Sequence, residues 1–492
     1  MSLRKNILRG SLSLGMGQVA SQALTLVRSA IVAHLVSRSD VGLGSIFIAT
    51  ITLFEMISNV RPDAMLIQAR DGNDSRLQSS AQALEVVRGS CMAIAVFLCA
   101  SPIAEMFAVP QATWAFRWLA LVPLLSGLQH MDPRRLQRDL KYGPEVRVVV
   151  GSQVVATVAA WPLASWLGDY SAILYVVLLR ASTQCLLTHL SAIRVYRWGF
   201  DLQALKRIFS FGWPLLANGL LMFGILQGDR MLIGWKQTHF TLADLGLYSM
   251  AWSLTAVASV LVGRVVNPIL LPLFARSAES GAELDTSYRL SCQMLAVFGT
   301  ASAIFFTLLG GPLMAVIYGH EYGQASTFIA WLAAMQAVRI LRQAPVQASI
   351  SQADTRNPLF ANLARSLSLV AATAAALSGA PLAGIAACGC AGETLALLTS
   401  TLRLSRLSNV SAGICLRPAL FSGLWLAGAT ACSSALSGQG PVQLTGACIL
   451  GLAGFLGTSA LAFSALRREG LLAVGSMRAG TRSALGNKRP PA

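Results

Sequence analysis

The sequence predicts an all-α integral membrane protein of about fourteen transmembrane helices, and three observations carry that reading. From Ile7 to Phe463 an apolar stretch long enough to cross a bilayer recurs about every thirty residues. Hydrophobic residues make up 54% of the chain and charged residues only 12%, about half the charged share of an average soluble domain. The basic residues fall almost entirely in alternate gaps between the apolar stretches. A membrane-spanning chain must satisfy its backbone internally, which leaves helices or closed barrels. Barrel strands alternate apolar and polar residues, and this chain lacks that alternation. A helical bundle remains.

Taken in order, the expected spans are 10–36, 42–61, 82–106, 112–130, 146–167, 170–193, 208–235, 245–269, 289–313, 324–348, 357–377, 381–402, 419–437 and 442–466. Arg339 and Arg342 interrupt the tenth. The basic Arg4–Arg9 start precedes a helix with no small-residue cleavage site, so the first helix is expected to be retained. One side then receives Arg4, Lys5 and Arg9, the 131–145 loop (Arg134, Arg135, Arg138, Lys141), the 194–207 loop (Arg194, Arg197, Lys206, Arg207) and the tail from Arg467 to Arg489. The other side receives little beyond Arg38 and Lys236. By the positive-inside rule both termini are expected in the cytoplasm of a multi-pass inner-membrane protein. The tail reads as a basic segment attracted to anionic lipid.

An internal repeat crosses the chain. Residues 28–45 place Arg28 in a helix, then a short polar connection, then Asp40-Val41-Gly42-Leu43-Gly44-Ser45. Residues 230–249 place Arg230 likewise, followed by Asp244-Leu245-Gly246-Leu247-Tyr248-Ser249. A fainter echo links Trp118-Leu119-Ala120 to Trp331-Leu332-Ala333. The offset is six helices, an even number, so the halves are parallel repeats about an axis along the membrane normal, with a path between them. The expected organisation is an N-terminal lobe at 1–207, a C-terminal lobe at 208–402, two extra helices at 403–466 and a basic cytoplasmic tail at 467–492.

Several function classes drop out. The net charge of +17 forms no continuous basic domain or recognition motif, which argues against a nucleic-acid partner. Cys388 and Cys390 are the only close pair among nine cysteines, and the five histidines are scattered, so no metal site and no cofactor are expected. External loops are short and no nucleotide phosphate loop is present, so neither catalysis nor ATP-driven export by this chain is expected. Transport is what remains.

Charges inside the spans are the candidate site. Arg28, Arg180, Arg230, Arg264, Arg339 and Arg342 fall within predicted helices. A basic residue at a helix centre costs roughly 2.5–3.5 kcal/mol on insertion scales, so such residues face a cavity or a partner. Arg28 and Arg230 hold matching repeat positions. For Arg180 and Arg342 pairing with carboxylates or capping of carbonyls stays open, as does a headgroup position for Arg339 and Arg342. Arg88, Arg117 and Arg365 lie near span ends and read as interfacial anchors. Glu55, Asp229 and Glu393 are the carboxylates well inside spans and the candidates for ion coupling, Glu55 first. Asp229 and Arg230 are adjacent on a helix and point apart, so each needs another partner. Glu393 has a second reading, a bond to a neighbouring Ser or Thr.

Three stretches resemble the polysaccharide-exporter (Wzx-like oligosaccharide flippase) branch of the MOP superfamily, which also holds MATE antiporters and the lipid II flippase. They are Leu136-Gln137-Arg138-Asp139-Leu140-Lys141-Tyr142, Phe211-Gly212-Trp213-Pro214-Leu215-Leu216 with 229–234 following, and Gly246-Leu247-Tyr248-Ser249-Met250-Ala251 continuing to Pro268, Pro272 and Arg276. The resemblance spans most of 10–405. Arg61-Pro62-Asp63 departs from it, where a less charged turn is expected. It implies flipping of a polyprenyl-diphosphate-linked oligosaccharide between leaflets, for exopolysaccharide, capsule or O-antigen synthesis, by alternating access around a cationic cavity. A polysaccharide polymerase or co-polymerase is an implied partner. Arginine suits a diphosphate because its planar fork binds phosphate oxygens two at a time. Two rivals stand beside this. A MATE-like cation or drug antiporter would favour carboxylates and aromatics over arginines in its cavity. A non-transporting scaffold of a polysaccharide assembly complex would tolerate Arg28→Ala. The sugar and the driving force, whether proton, Na⁺ or membrane potential, are not legible.

Overall fold

The computed structural model describes residues 3–58, 60–69, 71–277, 281–408, 410–436 and 438–467. The tail expected beyond Arg467 lies outside them. Among the described residues the chain is helical and contains no strand. The first half runs α1 (Leu3–Leu35), α2 (Arg38–Ser58), α3 (Pro62–Gln68), α4 (Ser75–Met106), α5 (Thr113–Leu119), α6 (Leu121–Gly127), α7 (Asp132–Arg138), α8 (Gly143–Leu167) and α9 (Tyr170–Leu190). The second half runs α10 (Leu202–Gly234), α11 (Leu242–Val265), α12 (Asn267–Ser277), α13 (Gly281–Tyr318), α14 (Ile329–Ser351), α15 (Arg356–Leu377) and α16 (Leu382–Leu407). Helices α17 (Gly413–Ala435) and α18 (Pro441–Ala462) follow. Ten helices among the described residues are long and apolar enough to cross a membrane. The expected spans 10–36, 208–235 and 324–348 fall on α1, α10 and α14, outside those ten, and 112–130 is divided between α5 and α6. This is a multi-pass membrane protein.

Short helices occupy two connections. Arg61 adopts a left-handed backbone (φ 55°, ψ 49°) and turns the chain into α3. Pro62 supplies the preset φ of a first helical residue, and Asp63 sits favourably at the positive end of the helix dipole. Asp63 also accepts from Arg61 Nε at 3.2 Å. The charged Arg61-Pro62-Asp63 turn is thus a helix start. In the 131–145 connection, Asp132 and Pro133 open α7. The fully buried Asp132 carboxylate accepts from Arg135 Nε (2.6 Å), from the Ile193 amide (2.8 Å) and from the Arg194 amide (3.2 Å). Burial works to raise the pKa of this carboxyl, but the Arg135 hydrogen bond, the two amide N–H groups and the Arg135 charge together hold it below the ordinary value.

The repeat shows in spacing and in backbone shape. Helices α7 and α14 end at Arg138 and Ser351, and α8 and α15 begin at Gly143 and Arg356, 213 residues apart in each case. Between them the chain turns on Leu140 (φ 59°) and Ala353 (φ 64°), again 213 apart. Each turn is closed by an equivalent bond, Lys141 N to Leu136 O at 3.0 Å and Asp354 N to Ser349 O at 2.9 Å. That is the six-to-one bond of a Schellman cap, which satisfies carbonyls left over at a helix end.

The described chain forms two compact units. The first comprises 1–257, 313–325 and 366–389; the second comprises 258–312, 326–365 and 390–492. Within the first, the repeat motifs touch. A Cβ on Gly42 would lie 1.9 Å from Leu242 O, and a Cβ on Gly246 would lie 2.2 Å from Arg38 O. Arg38 and Leu242 each precede their own helix's glycine by four residues, so α2 and α11 cross reciprocally, backbone against backbone. Only glycine permits that approach. At the same end Arg38 reaches Glu321 (Nε to Oε2, 3.3 Å) and Gln324 Oε1 (3.0 Å). In the last turn of α2 and just past its end, Gly219 and Gly212 of α10 would place Cβ atoms 2.1 Å from Met56 O and 2.0 Å from Val60 O. In the second unit a core built on Phe274, Tyr288, Ile340, Leu341, Ala344 and Leu404 ties α12, α13, α14 and α16 together.

Candidate functional site

Three polar clusters interrupt the apolar helices. The first, in unit one, is built from α1, α2, α4, α8 and α9. Arg28 of α1 is half-buried and donates from Nη1 to Gln153 Oε1 on α8. Arg180 is the middle residue of the 21-residue α9, yet its side chain is exposed. It is close enough for its charge to act on both Arg28 and Glu55. Glu55, on α2, also feels Arg88 and Glu85 of α4. Arg88 is bound to the Glu85 carboxylate and donates to Ser58 Oγ at 3.2 Å. Three guanidiniums and two carboxylates from α1, α2, α4 and α9 thus gather into a net positive group, with Gln153 of α8 as a neutral partner.

The second cluster, also in unit one, holds the other repeat arginine. Arg230 Cζ stacks 4.1 Å from the centroid of the Trp252 ring, and Nη1 donates to Gln227 Oε1 at 2.8 Å. Its neighbour Asp229 turns elsewhere, accepting from the Tyr248 hydroxyl at 2.7 Å. Adjacent helix positions diverge by about 100°, so the two side chains serve different partners.

The third lies in unit two. Glu393 of α16 is fully buried and meets Arg339 (2.6 Å), Arg342 (3.2 Å) and Arg365 (3.1 Å). Arg339 and Arg342 come from α14, Arg365 from α15. Three cations on one anion leave a surplus of two positive charges away from water, and Ser259 donates to Gln336 (2.7 Å) on the same α14. Arg264 is exposed near the C-terminal end of α11.

Sequence reasoning named Arg28, Arg180, Glu55, Arg339, Arg342 and Glu393 but not the groups that organise them. Arg88 was read as an anchor close to a span end, and Glu85 was not singled out, because the span was expected to open at residue 82, whereas α4 opens at Ser75. The Glu85 and Arg88 spacing of three, which puts both on one helix face, was the available signal. Arg365 was read as an interfacial anchor; it is buried and paired with Glu393. Gln153 carries no charge and left no signal.

The family model for polysaccharide biosynthesis proteins matches residues 31–327. The chain belongs to that family. The match takes in Glu55, Arg180, Asp229, Arg230 and Arg264, and ends before the third cluster. Among curated relatives, it is 22% identical over 329 residues to the succinoglycan biosynthesis transport protein ExoT of Rhizobium meliloti (strain 1021), covering 64% of this chain and 63% of that one. It is 20% identical over 331 residues to the lipopolysaccharide biosynthesis protein WzxC of Escherichia coli (strain K12), covering 65% of each. The matches thus span less than two thirds of either relative. Among solved structures, the inward closed conformation of the lipid II flippase MurJ superposes with a TM-score of 0.70 at 14% identity, covering 91% of this chain and 98% of that one. An inward-facing MATE family multidrug resistance transporter of the MOP superfamily gives 0.61 at 14% identity, covering 78% and 95%. These likenesses establish the MOP-type fold.

Proposed function

We propose that this chain flips a polyprenyl-diphosphate-linked oligosaccharide repeat unit across the cytoplasmic membrane, for synthesis of a surface polysaccharide, and is a transporter with no catalytic step. The observation that carries this is the first cluster: Arg28, Arg180 and Arg88 around Glu55 and Glu85, inside helices that otherwise bury apolar residues. The names of both relatives and the fold it shares with a lipid II flippase support the same reading.

The chemistry follows from the charges. A diphosphate is a dense anion, and a guanidinium fork offers it two parallel N–H donors. With no substrate, Glu55 supplies the counter-charge to Arg180. A diphosphate that enters competes with Glu55 for the same guanidinium, and the displaced carboxylate then favours its protonated form because a desolvated anion is costly. Binding of substrate and uptake of a proton by Glu55 are coupled in this way. Arg28, held by the neutral Gln153, keeps its charge available to the anion. Arg230 supplies the corresponding cation of the second repeat, stacked on Trp252, and Arg264 stands on the next helix of that repeat. In the third cluster Arg339 and Arg342 offer surplus charge, with Glu393 as the anion that holds them in place; Asp229 is fixed by Tyr248. The basic connections lie in the cytoplasm with both termini, and the α2–α11 crossing closes the opposite end.

The test is polymer output and lipid-linked repeat-unit level in a strain lacking this chain, complemented with wild type, Arg28→Ala or Glu55→Gln. The expected result is loss of polymer with repeat units held in the cytoplasmic leaflet, rescued by wild type alone. Unchanged polymer with altered sensitivity to cationic drugs would move the chain to the antiporter reading; full rescue by both variants would discard the site.

A further inference from the structure

The connection from α9 to α10 has no regular helix, and it turns its apolar side chains outward. Ile193, Val195, Trp198, Phe200 and Leu202 are all more than half exposed, Trp198 at 59% and Phe200 at 70%. The segment is nevertheless held along its length. Asp132 receives its first two amides, and Arg194 reaches Gln78 Oε1 (2.7 Å) and Asn73 O (2.9 Å). The Tyr196 hydroxyl accepts from Gln82 (3.2 Å), the Gly199 amide donates to Ser79 O (3.3 Å), and the Asp201 amide donates to Ser80 Oγ (3.2 Å). Polar groups on one side are thus spent on the first turns of α4, and the apolar row faces away from the protein.

We propose that residues 193–202 form a strap embedded in the headgroup–acyl boundary of the bilayer, with anionic phospholipid as its occupant. Length supports this. Trp166, 84% exposed, lies just before α9, and Trp198 lies just after it. The 21 residues of α9 rise about 30 Å, the thickness of the hydrocarbon core, so the two tryptophans stand at its two boundaries. Tryptophan is the side chain that settles there, its ring in the acyl region and its N–H among headgroups. Continuity supports it too: Leu186 and Leu190 of α9 and Phe209 of α10 carry the exposed apolar surface past both ends of the strap. Charge selects the lipid. Arg197 and Lys206 are exposed beside the apolar row and attract anionic headgroups. An extended backbone is permissible at this depth because headgroups and water reach its free amides, which is not so in the hydrocarbon core.

The experiment uses the full chain in vesicles of phosphatidylcholine with phosphatidylglycerol, carrying a photoreactive benzophenone amino acid in place of Val195, Trp198, Phe200 or Tyr196, one at a time. The expected result is a phospholipid adduct by mass spectrometry from 195, 198 and 200 and none from the inward-facing 196. Phosphatidylglycerol should be enriched in the adducts above its mole fraction, and Arg197→Gln with Lys206→Gln should abolish the enrichment. Since 195, 197, 198, 200 and 206 are exposed, substitutions there leave folding intact, and a monodisperse preparation verifies this for every variant, the one at 196 included. Adducts to protein alone, or no adduct at all, at 195, 198 and 200 would overturn the strap. Adducts that mirror the bulk lipid composition would overturn the anionic preference.

Discussion

Gly42→Ala is the most exacting perturbation that the crossing of α2 and α11 offers. The new methyl carbon would lie 1.9 Å from Leu242 O and 2.9 Å from Leu242 C. Both are backbone atoms and cannot rotate aside. Ordinary contact begins at 3.4 Å, so the helices must part by about 1.5 Å at this level. Overpacking of a tight contact costs about 1–3 kcal/mol. If that cost falls only on the state in which the two helices touch, the equilibrium moves about five- to 150-fold toward the state in which they do not. The assay is modification of a cysteine placed at Ser45, on the same stretch of α2, by a membrane-impermeant maleimide in intact cells. Labelling should rise in the Gly42→Ala background, and Gly246→Ala should act the same way because its Cβ would lie 2.2 Å from Arg38 O. Gly423→Ala is the control: nothing lies within 4 Å of that Cβ, and it should change neither labelling nor export. Unaltered labelling in both crossing variants, with folded protein at wild-type level, would refute the reasoning.

Three further outcomes are expected. Glu393→Gln leaves three buried guanidiniums without their anion, and breaking a buried ion pair costs about 3–5 kcal/mol, so the melting temperature in detergent should fall sharply, whereas Glu55→Gln should leave it near wild type and affect export instead. The Asp132 carboxyl has its folded pKa held below the unfolded 3.8, so the stability it contributes is complete above that value and is lost as pH falls through the folded one. Protease cleavage within 193–201 should therefore rise steeply below about pH 4 in wild type and should already be raised at neutral pH in Asp132→Asn. Arg180→Ala should lower export to a small residual rate, and adding Glu55→Gln to it should lower that rate no further, because the carboxylate acts through that guanidinium; additive losses would separate the two.

Much of this architecture is legible from apolar run length alone, because a bilayer fixes how long a helix must be. The repeat was legible from Asp40-x-Gly42 and Asp244-x-Gly246, since a backbone contact that admits no Cβ preserves its glycines in both copies. What stayed hidden were helices of seven residues. Both α3 and α7 are shorter than the roughly 11–18 residues over which helical periodicity can be read, and both were read as loop. The 112–130 stretch was read as one span because its apolar content is continuous; the break between α5 and α6 falls at Ala120 and Leu121, just before Pro123, which has no N–H to donate to the Leu119 carbonyl. In the clusters, charges were found and partners were not. A guanidinium in an apolar run announces itself, but which of three carboxylates it meets is decided by helix packing, which a single sequence does not display.

The repeat offset also explains why the clusters differ. Arg180 is the eleventh residue of α9 and Glu393 the twelfth of α16, so they hold closely matching positions in the two halves with opposite charge. Equivalent helices thus carry a cation in one half and an anion in the other. In the second half the anion is enclosed by three guanidiniums, at full burial and short distance. An arrangement so mutually satisfied resists change, since removing any member exposes uncompensated charge. In the first half the arginine is exposed at the middle of its helix, with Glu55 as a counter-charge that an incoming anion can replace. On the proposed function, one duplicated scaffold supplies both a rigid polar core and a responsive one, and the responsive half is where an anionic substrate would exert its effect. Exchanging the pair tests that division: Arg180→Glu with Glu393→Arg would put four cations together in the second half and strip the first of its central one. The doubly substituted chain should lose stability through the second half and export through the first, and Arg180→Glu alone should lose export while keeping the melting temperature.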